Sequence, residues 1–177
     1  MTKKRKDETY QQYRDRVINP ISSSWCGAKW YNATIWLNSG TTASCHHPPA
    51  HKVPLEEVLA NPKAIHNTKY KKMVRKQMQC GERPKECEYC WKVEDLGPNN
   101  VSDRVYKTVI YTEDQIAKAS KMDWQDDVDL HTLEIAFDAN CNYACSYCNA
   151  SFSTTWQNDI KKNGAYQNLV SDGARAF

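Results

Sequence analysis

The sequence has no long hydrophobic run, and no stretch reaches the ~18 apolar residues that a membrane-spanning helix requires. Residues 1–7 are mostly polar and charged, and no apolar segment follows them, so a secretory leader is not predicted. Acidic and basic residues are interspersed, and the net charge of +3 gives no strong attraction to nucleic acid. A phosphate-cradling glycine loop and a Ser/His/Asp triad are also missing. These absences predict a cytoplasmic protein with neither a membrane nor a nucleic-acid partner.

Cysteine, by contrast, is abundant, with eight residues in a chain of 177. In a secreted protein this number would indicate a disulfide framework, but without a leader the reduced interior of the cell is the expected environment. Clustered cysteines in that environment usually bind metal. Their spacing is therefore the main guide to function.

Three of the cysteines lie in the stretch 138–149. Cys141, Cys145 and Cys148 are spaced as Cys-x3-Cys-x2-Cys, and they follow residues 133–138, whose apolar and acidic side chains alternate as in a strand. Three thiolates so close together form a compact set of soft ligands for iron–sulfur or zinc. The same spacing fits one face of a helix, so simple packing is the alternative. The asparagine, serine and tyrosine residues among them are poor helix formers, which favours metal binding.

A second group of cysteines begins at a predicted hairpin. Residues 30–45 read as two strands around a turn at 38–40, because aromatic and β-branched residues flank an Asn-Ser-Gly sequence. Such a hairpin would bring Cys26, just before one strand, towards Cys45 at the end of the other.

The chain also contains a Cys-x2-Cys knuckle, formed by Cys87 and Cys90. This spacing is a strong metal signal, but zinc and iron–sulfur sites both use it. Cys80 stands outside the pattern at the end of a predicted helix, and we interpret it as a spare thiol.

Three histidines, His46, His47 and His51, follow the hairpin. Histidine-rich tracts can bind metal. Prolines interrupt this one, and a loop of that kind gives the imidazoles no fixed geometry, so metal binding is not the favoured interpretation.

Apolar periodicity and capping residues predict several helices over residues 7–17, 54–60, 112–121 and 153–163. A further helix is predicted to open at Asn61 and Pro62. Its apolar stripe is predicted to face the core and consists of Tyr70, Met73, Val74, Gln77 and Met78. The opposite side is predicted to be solvated and consists of Lys69, Lys71, Lys72, Arg75 and Lys76.

The spacing Cys-x3-Cys-x-aromatic-Cys, in which Tyr147 is the aromatic residue, resembles the signature of the radical S-adenosylmethionine (SAM) superfamily. The resemblance implies that Cys141, Cys145 and Cys148 ligate a [4Fe–4S] cluster whose fourth iron binds SAM, and that Tyr147 lies by the adenine. An electron from a reductant such as a flavodoxin or ferredoxin would then cleave SAM to a 5′-deoxyadenosyl radical.

The remaining paired cysteines are similar to the auxiliary-cluster pattern of the SPASM and twitch domains found in many radical SAM enzymes. Three further segments also resemble the sequences of twitch-domain proteins: residues 81–91, residues 102–107 and the run that leads to the three-cysteine stretch. The resemblance implies an auxiliary [4Fe–4S] cluster, and by analogy a peptide or protein substrate. Its implied ligands are Cys26, Cys45, Cys87 and Cys90.

The expected fold class is α+β, with a small metal-binding module of one hairpin plus helices. The first strand, loop and helix of an incomplete radical SAM (β/α)6 barrel would follow it. The predicted boundaries are 1–24 for a polar N-terminal tail, 25–98 for the auxiliary-cluster module, 99–131 for a linker with a short helix, and 132–177 for the start of the radical SAM core. Too little chain follows Cys148 for the remaining strands of a barrel. We therefore expect the front end of a longer protein, with little or no catalysis by this chain alone.

Two alternatives remain open at the level of sequence. The chain could be a zinc-binding interaction module, with a four-cysteine site and a basic helix over 66–79 that meets nucleic acid or an acidic partner. That interpretation leaves the stretch 138–149 one ligand short of a closed zinc site. The other alternative is a non-catalytic iron–sulfur electron carrier.

Overall fold

The computed structural model describes residues 3–138 and 140–165. Over these residues the fold is α+β, as predicted, and it contains one four-stranded mixed sheet and eight α-helices. The strands are β1 (Asn32–Trp36), β2 (Thr41–Ala43), β3 (His51–Lys52) and β4 (Thr132–Ala136), in the order β3-β2-β1-β4. β1 pairs antiparallel with β2 and parallel with β4. The strand that leads into the three-cysteine stretch is thus the neighbour of the hairpin in one sheet.

The predicted hairpin is confirmed, with Trp36 opposite Thr41 across the turn. Gly40 closes the turn at φ +60°, a left-handed backbone conformation that favours glycine. The hairpin differs from the prediction at its start, because Gly27–Tyr31 forms the helix α2 and β1 begins only at Asn32. Cys26 therefore lies at the N-terminus of a helix that leads into the strand.

The other helices are α1 (Tyr10–Tyr13), α3 (Leu55–Ala60), α4 (Lys69–Gln79), α5 (Glu88–Glu94), α6 (Asp103–Thr108), α7 (Glu113–Ser120) and α8 (Thr154–Asn163). A π-helical turn, Arg14–Ile18, continues α1, and a 3₁₀ turn, Pro62–Ile65, precedes α4. The capping box of Thr112 and Gln115 starts α7 as predicted, and Ser153 caps α8. α4 itself begins after Thr68, later than predicted.

Large aromatic and aliphatic side chains form the core, where Trp25 and Trp30 stack with their ring centroids 5.0 Å apart. Two segments that looked peripheral contribute to it. Tyr13 and Ile18, within the predicted tail 1–24, are fully buried. The predicted linker, 99–131, holds α6 and α7. It also supplies several buried side chains to the core, namely Val105, Tyr111, Ile116, Ala119 and Val128.

The buried face of α4 differs from the predicted apolar stripe. Val74 and Met78 are buried as predicted, but about half of the Tyr70 side chain is exposed. Lys71 and Arg75, predicted to be solvated, are buried instead. Of the two remaining stripe members, Met73 is also about half exposed and Gln77 is half-buried.

Hydrogen bonds from Lys71 and Arg75 to backbone and side-chain oxygens explain this inversion. Arg75 donates to the carbonyl oxygen of Lys29 at 2.9 Å and to Oδ1 of Asn67 at 2.9 Å. Lys71 donates to the carbonyl oxygen of Asn32 at 2.8 Å, and its Nζ lies 2.6 Å from Nδ1 of His66. Burial and these two cations lower the pKa of His66 to about 2, so its imidazole is neutral. The helix is thus held by a buried polar network.

Within the described ranges, none of the helices is both long enough and apolar enough to cross a membrane.

Candidate metal centre

The four cysteines predicted to act together line one cavity. Cys26 comes from the N-terminus of α2, and Cys45 from the loop after β2. Cys87 and Cys90 come from the start of α5. Three of the thiols are buried and that of Cys45 is half-buried. Residues far apart in sequence therefore meet at one site.

Close packing at Gly27 fixes the position of the first of these cysteines. The Gly27 N–H donates to Oγ1 of Thr108 at 2.9 Å. A Cβ atom at this position would lie 3.1 Å from the Tyr111 ring and 3.3 Å from Thr108, tighter than most real contacts. The absence of a side chain lets α2 approach α6, and this approach holds Cys26 at the cavity.

Burial is the main influence on the pKa values of two of these thiols. The pKa of Cys26 is raised to about 12, chiefly by burial and to a smaller extent by the charges of Cys45 and Cys90. The pKa of Cys87 is also raised to about 12, chiefly by burial and against the opposing effect of the positive charge of Lys29. Since metal binds the thiolate form, loading this site must release protons.

The spacing of the sulfurs bears on the kind of metal group that fits. Around a single tetrahedral zinc ion, with Zn–S bonds of ~2.3 Å, neighbouring sulfurs lie about 3.8 Å apart. Among residues 3–138 and 140–165, the one set of three or more ligand atoms that all lie within 4.8 Å of one another does not include these cysteines. In a cubane cluster each thiolate binds a different iron, so the sulfurs stand further apart. Four thiolates are the donor set of a [4Fe–4S] cluster and also of a closed zinc site.

Two buried ion pairs lie at the same cavity. Lys29 lines it and pairs with Glu86, and both side chains are almost fully buried. Arg104 also lines it and forms two hydrogen bonds of 2.9 Å to the carboxylate of Glu94. Positive charge next to a thiolate cluster stabilises its anionic form.

The three-cysteine stretch lies in the loop between β4 and α8, and its three thiols are half-buried. The first turn of α8 anchors the loop. Oγ1 of Thr155 donates to the carbonyl oxygen of Cys141 at 2.7 Å, and the indole N–H of Trp156 donates to that of Cys145 at 3.1 Å. The loop backbone is therefore fixed at two of its three cysteines.

Tyr147 interacts with the thiols of the three-cysteine stretch. Its ring is 90 % exposed, yet its pKa is raised, first by a hydrogen bond with the Cys145 thiol and then by that thiol's charge. The charges of Cys148 and Cys141 contribute in the same direction. Each of the three thiols therefore acts on the pKa of Tyr147, whose side chain is exposed.

Cys80, interpreted as a spare thiol, lies exposed at the C-terminal end of α4 and is not among the described residues that line the cavity. Sequence reasoning missed Asp103, which lies at the cavity wall with His47. Its carboxylate Oδ2 is 3.2 Å from Nε2 of His46 and 2.7 Å from Nε2 of His47. The one available signal was its place in the string at 102–107 that resembles twitch-domain proteins.

Compared with known proteins, the chain gives no significant match to a protein-family model, to a curated protein or to a solved structure. Its function therefore has to be inferred from its residues and their geometry.

Proposed function

We propose that this chain carries two [4Fe–4S] clusters and forms part of a radical SAM oxidoreductase. The observation that carries the proposal is the grouping of seven of the eight cysteines into two sets. Four line one cavity, and three lie in the loop between β4 and α8, where each of them raises the pKa of Tyr147.

The two sets differ in the number of thiolates, and this difference assigns their roles. Four thiolates occupy every iron of a cubane, so the buried site suits electron relay or substrate contact. Three thiolates leave one iron free to bind SAM, and a cluster of this kind supplies the electron that cleaves the sulfonium. Exposure of the loop leaves room for a ligand the size of SAM beside Cys145, and the Tyr147 ring offers a flat surface for its adenine.

SAM binding tests this assignment directly. In anaerobically loaded and dithionite-reduced protein, we expect SAM to change the electron paramagnetic resonance spectrum of one of the two clusters. The Cys145→Ala variant should lose that response and keep the other signal, because the four-cysteine cavity is left intact. Cys80→Ala, which removes the exposed thiol, is the matched control and should behave as the unmodified chain. A SAM response that survives Cys145→Ala would refute the assignment.

Lys29 is predicted to tune the buried cluster. In Lys29→Met the midpoint potential of that cluster should fall by roughly 60 mV, equivalent to a tenfold change in a one-electron equilibrium. The reason is that the substitution removes a buried positive charge beside the thiolates and leaves Glu86 unpaired. A redox titration followed by electron paramagnetic resonance measures the change.

The double variant Lys29→Met/Glu86→Gln is the control for this prediction. It removes both charges, so the fall should be smaller than in the single variant. Equal potentials for the single variant and the unmodified chain would mean that Lys29 does not act on the cluster.

A further inference from the structure

A compact set of metal-ligand atoms lies at the wall of the four-cysteine cavity, outside the cysteine sites. The Nε2 atoms of His46 and His47 converge on the same carboxylate oxygen of Asp103, and all three ligand atoms lie within 4.8 Å of one another. We propose that these three side chains bind a divalent transition-metal ion, separate from either iron–sulfur cluster.

The chemistry of the donors favours such an ion. Two imidazoles and one carboxylate form a ligand set that zinc and ferrous iron both use, with one or more positions left for water or substrate. About half of the His46 side chain is exposed, so solvent can reach the open side of the set. The site is thus of the open kind that binds a further ligand, in contrast to the closed four-cysteine site.

The surrounding structure holds two of the three ligands in place. The ring of His47 stacks on Tyr89, with centroids 3.8 Å apart and an angle of 16° between the planes. Asp103 is the first residue of α6, a helix packed against α2. His47 and Asp103 are 56 residues apart along the chain, so it is the tertiary fold that brings their side chains together.

His47 and Asp103 also line the cavity that the four cysteines share. An ion held by them would lie beside the buried cluster, where it could bind a substrate group next to that cluster. His51 provides the contrast within the same tract, because its Nε2 lies 2.9 Å from Oγ1 of Thr68 and it is not part of the set. The metal site therefore depends on two histidines and not on the tract as a whole.

Zinc uptake by the anaerobically loaded chain of 177 residues tests the proposal. The protein is passed over a desalting column with a chelator, equilibrated with zinc, and analysed for zinc and iron. We expect the unmodified chain to take up one zinc beyond any that it held before the addition. Competition with a chromophoric chelator measures the affinity for zinc. His47→Gln and Asp103→Asn should each weaken that affinity by about 100-fold or more, because each removes a ligand.

His51→Gln is the matched control and should bind zinc as tightly as the unmodified chain. Iron content, measured in every sample, separates this proposal from the cluster assignment, because it should be equal in all variants. If His47→Gln or Asp103→Asn loses iron or fails to fold, His46→Gln provides the test of zinc binding, because its side chain is half-exposed and its substitution disturbs the fold least. Zinc binding that is equal in His46→Gln and the unmodified chain, or no uptake by the loaded chain, would overturn the proposal. The trio would then be two histidines donating to one carboxylate.

Discussion

The double variant Cys87→Ala/Cys90→Ala should lose about four irons per chain, the content of one [4Fe–4S] cluster, and retain the rest. The two substitutions remove half of the thiols of the buried cavity, and the remaining pair cannot hold a cubane. The three-cysteine loop should keep its iron, because α8 anchors it independently through Thr155 and Trp156. Iron and acid-labile sulfide analysis of anaerobically loaded protein measures the loss.

The same variant should also be less stable than the unmodified loaded chain, because metal binding at a preformed site adds to the free energy of folding. Cys80→Ala is the control, since its thiol is exposed at the end of α4, and it should change neither iron content nor melting temperature. Full iron retention in the double variant would show that the buried cavity is not a cluster site.

Arg104→Ala should lower the free energy of unfolding by about 3–5 kcal/mol, the cost of leaving one partner of a buried ion pair uncompensated. The Arg104 side chain is 2 % exposed and that of Glu94 is 9 % exposed. Besides its two bonds to Glu94, Arg104 donates to the carbonyl oxygen of Trp25 at 3.0 Å. Its loss would leave the Trp25 carbonyl without this donor and the buried Glu94 carboxylate without its ion-pair partner, although Ser102 still donates to that carboxylate at 2.6 Å. Urea unfolding followed by tryptophan fluorescence measures the change.

An exposed arginine gives the matched control. Arg83 pairs with Asp95 at 2.6 Å, but the two side chains are 45 % and 59 % exposed. Water screens this pair, so Arg83→Ala should cost less than about 1 kcal/mol. The double variant Arg104→Met/Glu94→Met, which removes both charges, should recover part of the loss. Equal effects of Arg104→Ala and Arg83→Ala would mean that burial of the first pair does not matter for stability.

Features governed by local rules could be predicted from the sequence. The Asn-Ser-Gly turn set the hairpin, the capping box set the start of α7, and Ser153 marked the start of α8. Each depends on residues within one turn of the backbone. The grouping of Cys26 and Cys45 followed from the hairpin and was predicted for the same reason, although the helix between Cys26 and β1 was not.

Features that depend on distant partners could not be predicted. Lys71 and Arg75 looked like surface residues, and their burial is favourable because they donate to partners such as the carbonyl groups of Asn32 and Lys29, which lie far away in the sequence. The role of α6 was hidden for a related reason, because one apolar side chain, Val105, gives too weak a pattern to indicate a core element. Asp103 meets the histidines of the hairpin only through the tertiary fold.

The central claim is that the two cysteine sets hold iron–sulfur clusters, and metal analysis of the anaerobically purified and loaded chain tests it most directly. About eight irons and eight sulfides per chain are predicted, which is the content of two [4Fe–4S] clusters. One zinc per chain with no iron would contradict it, because neither cysteine set would then hold a cluster.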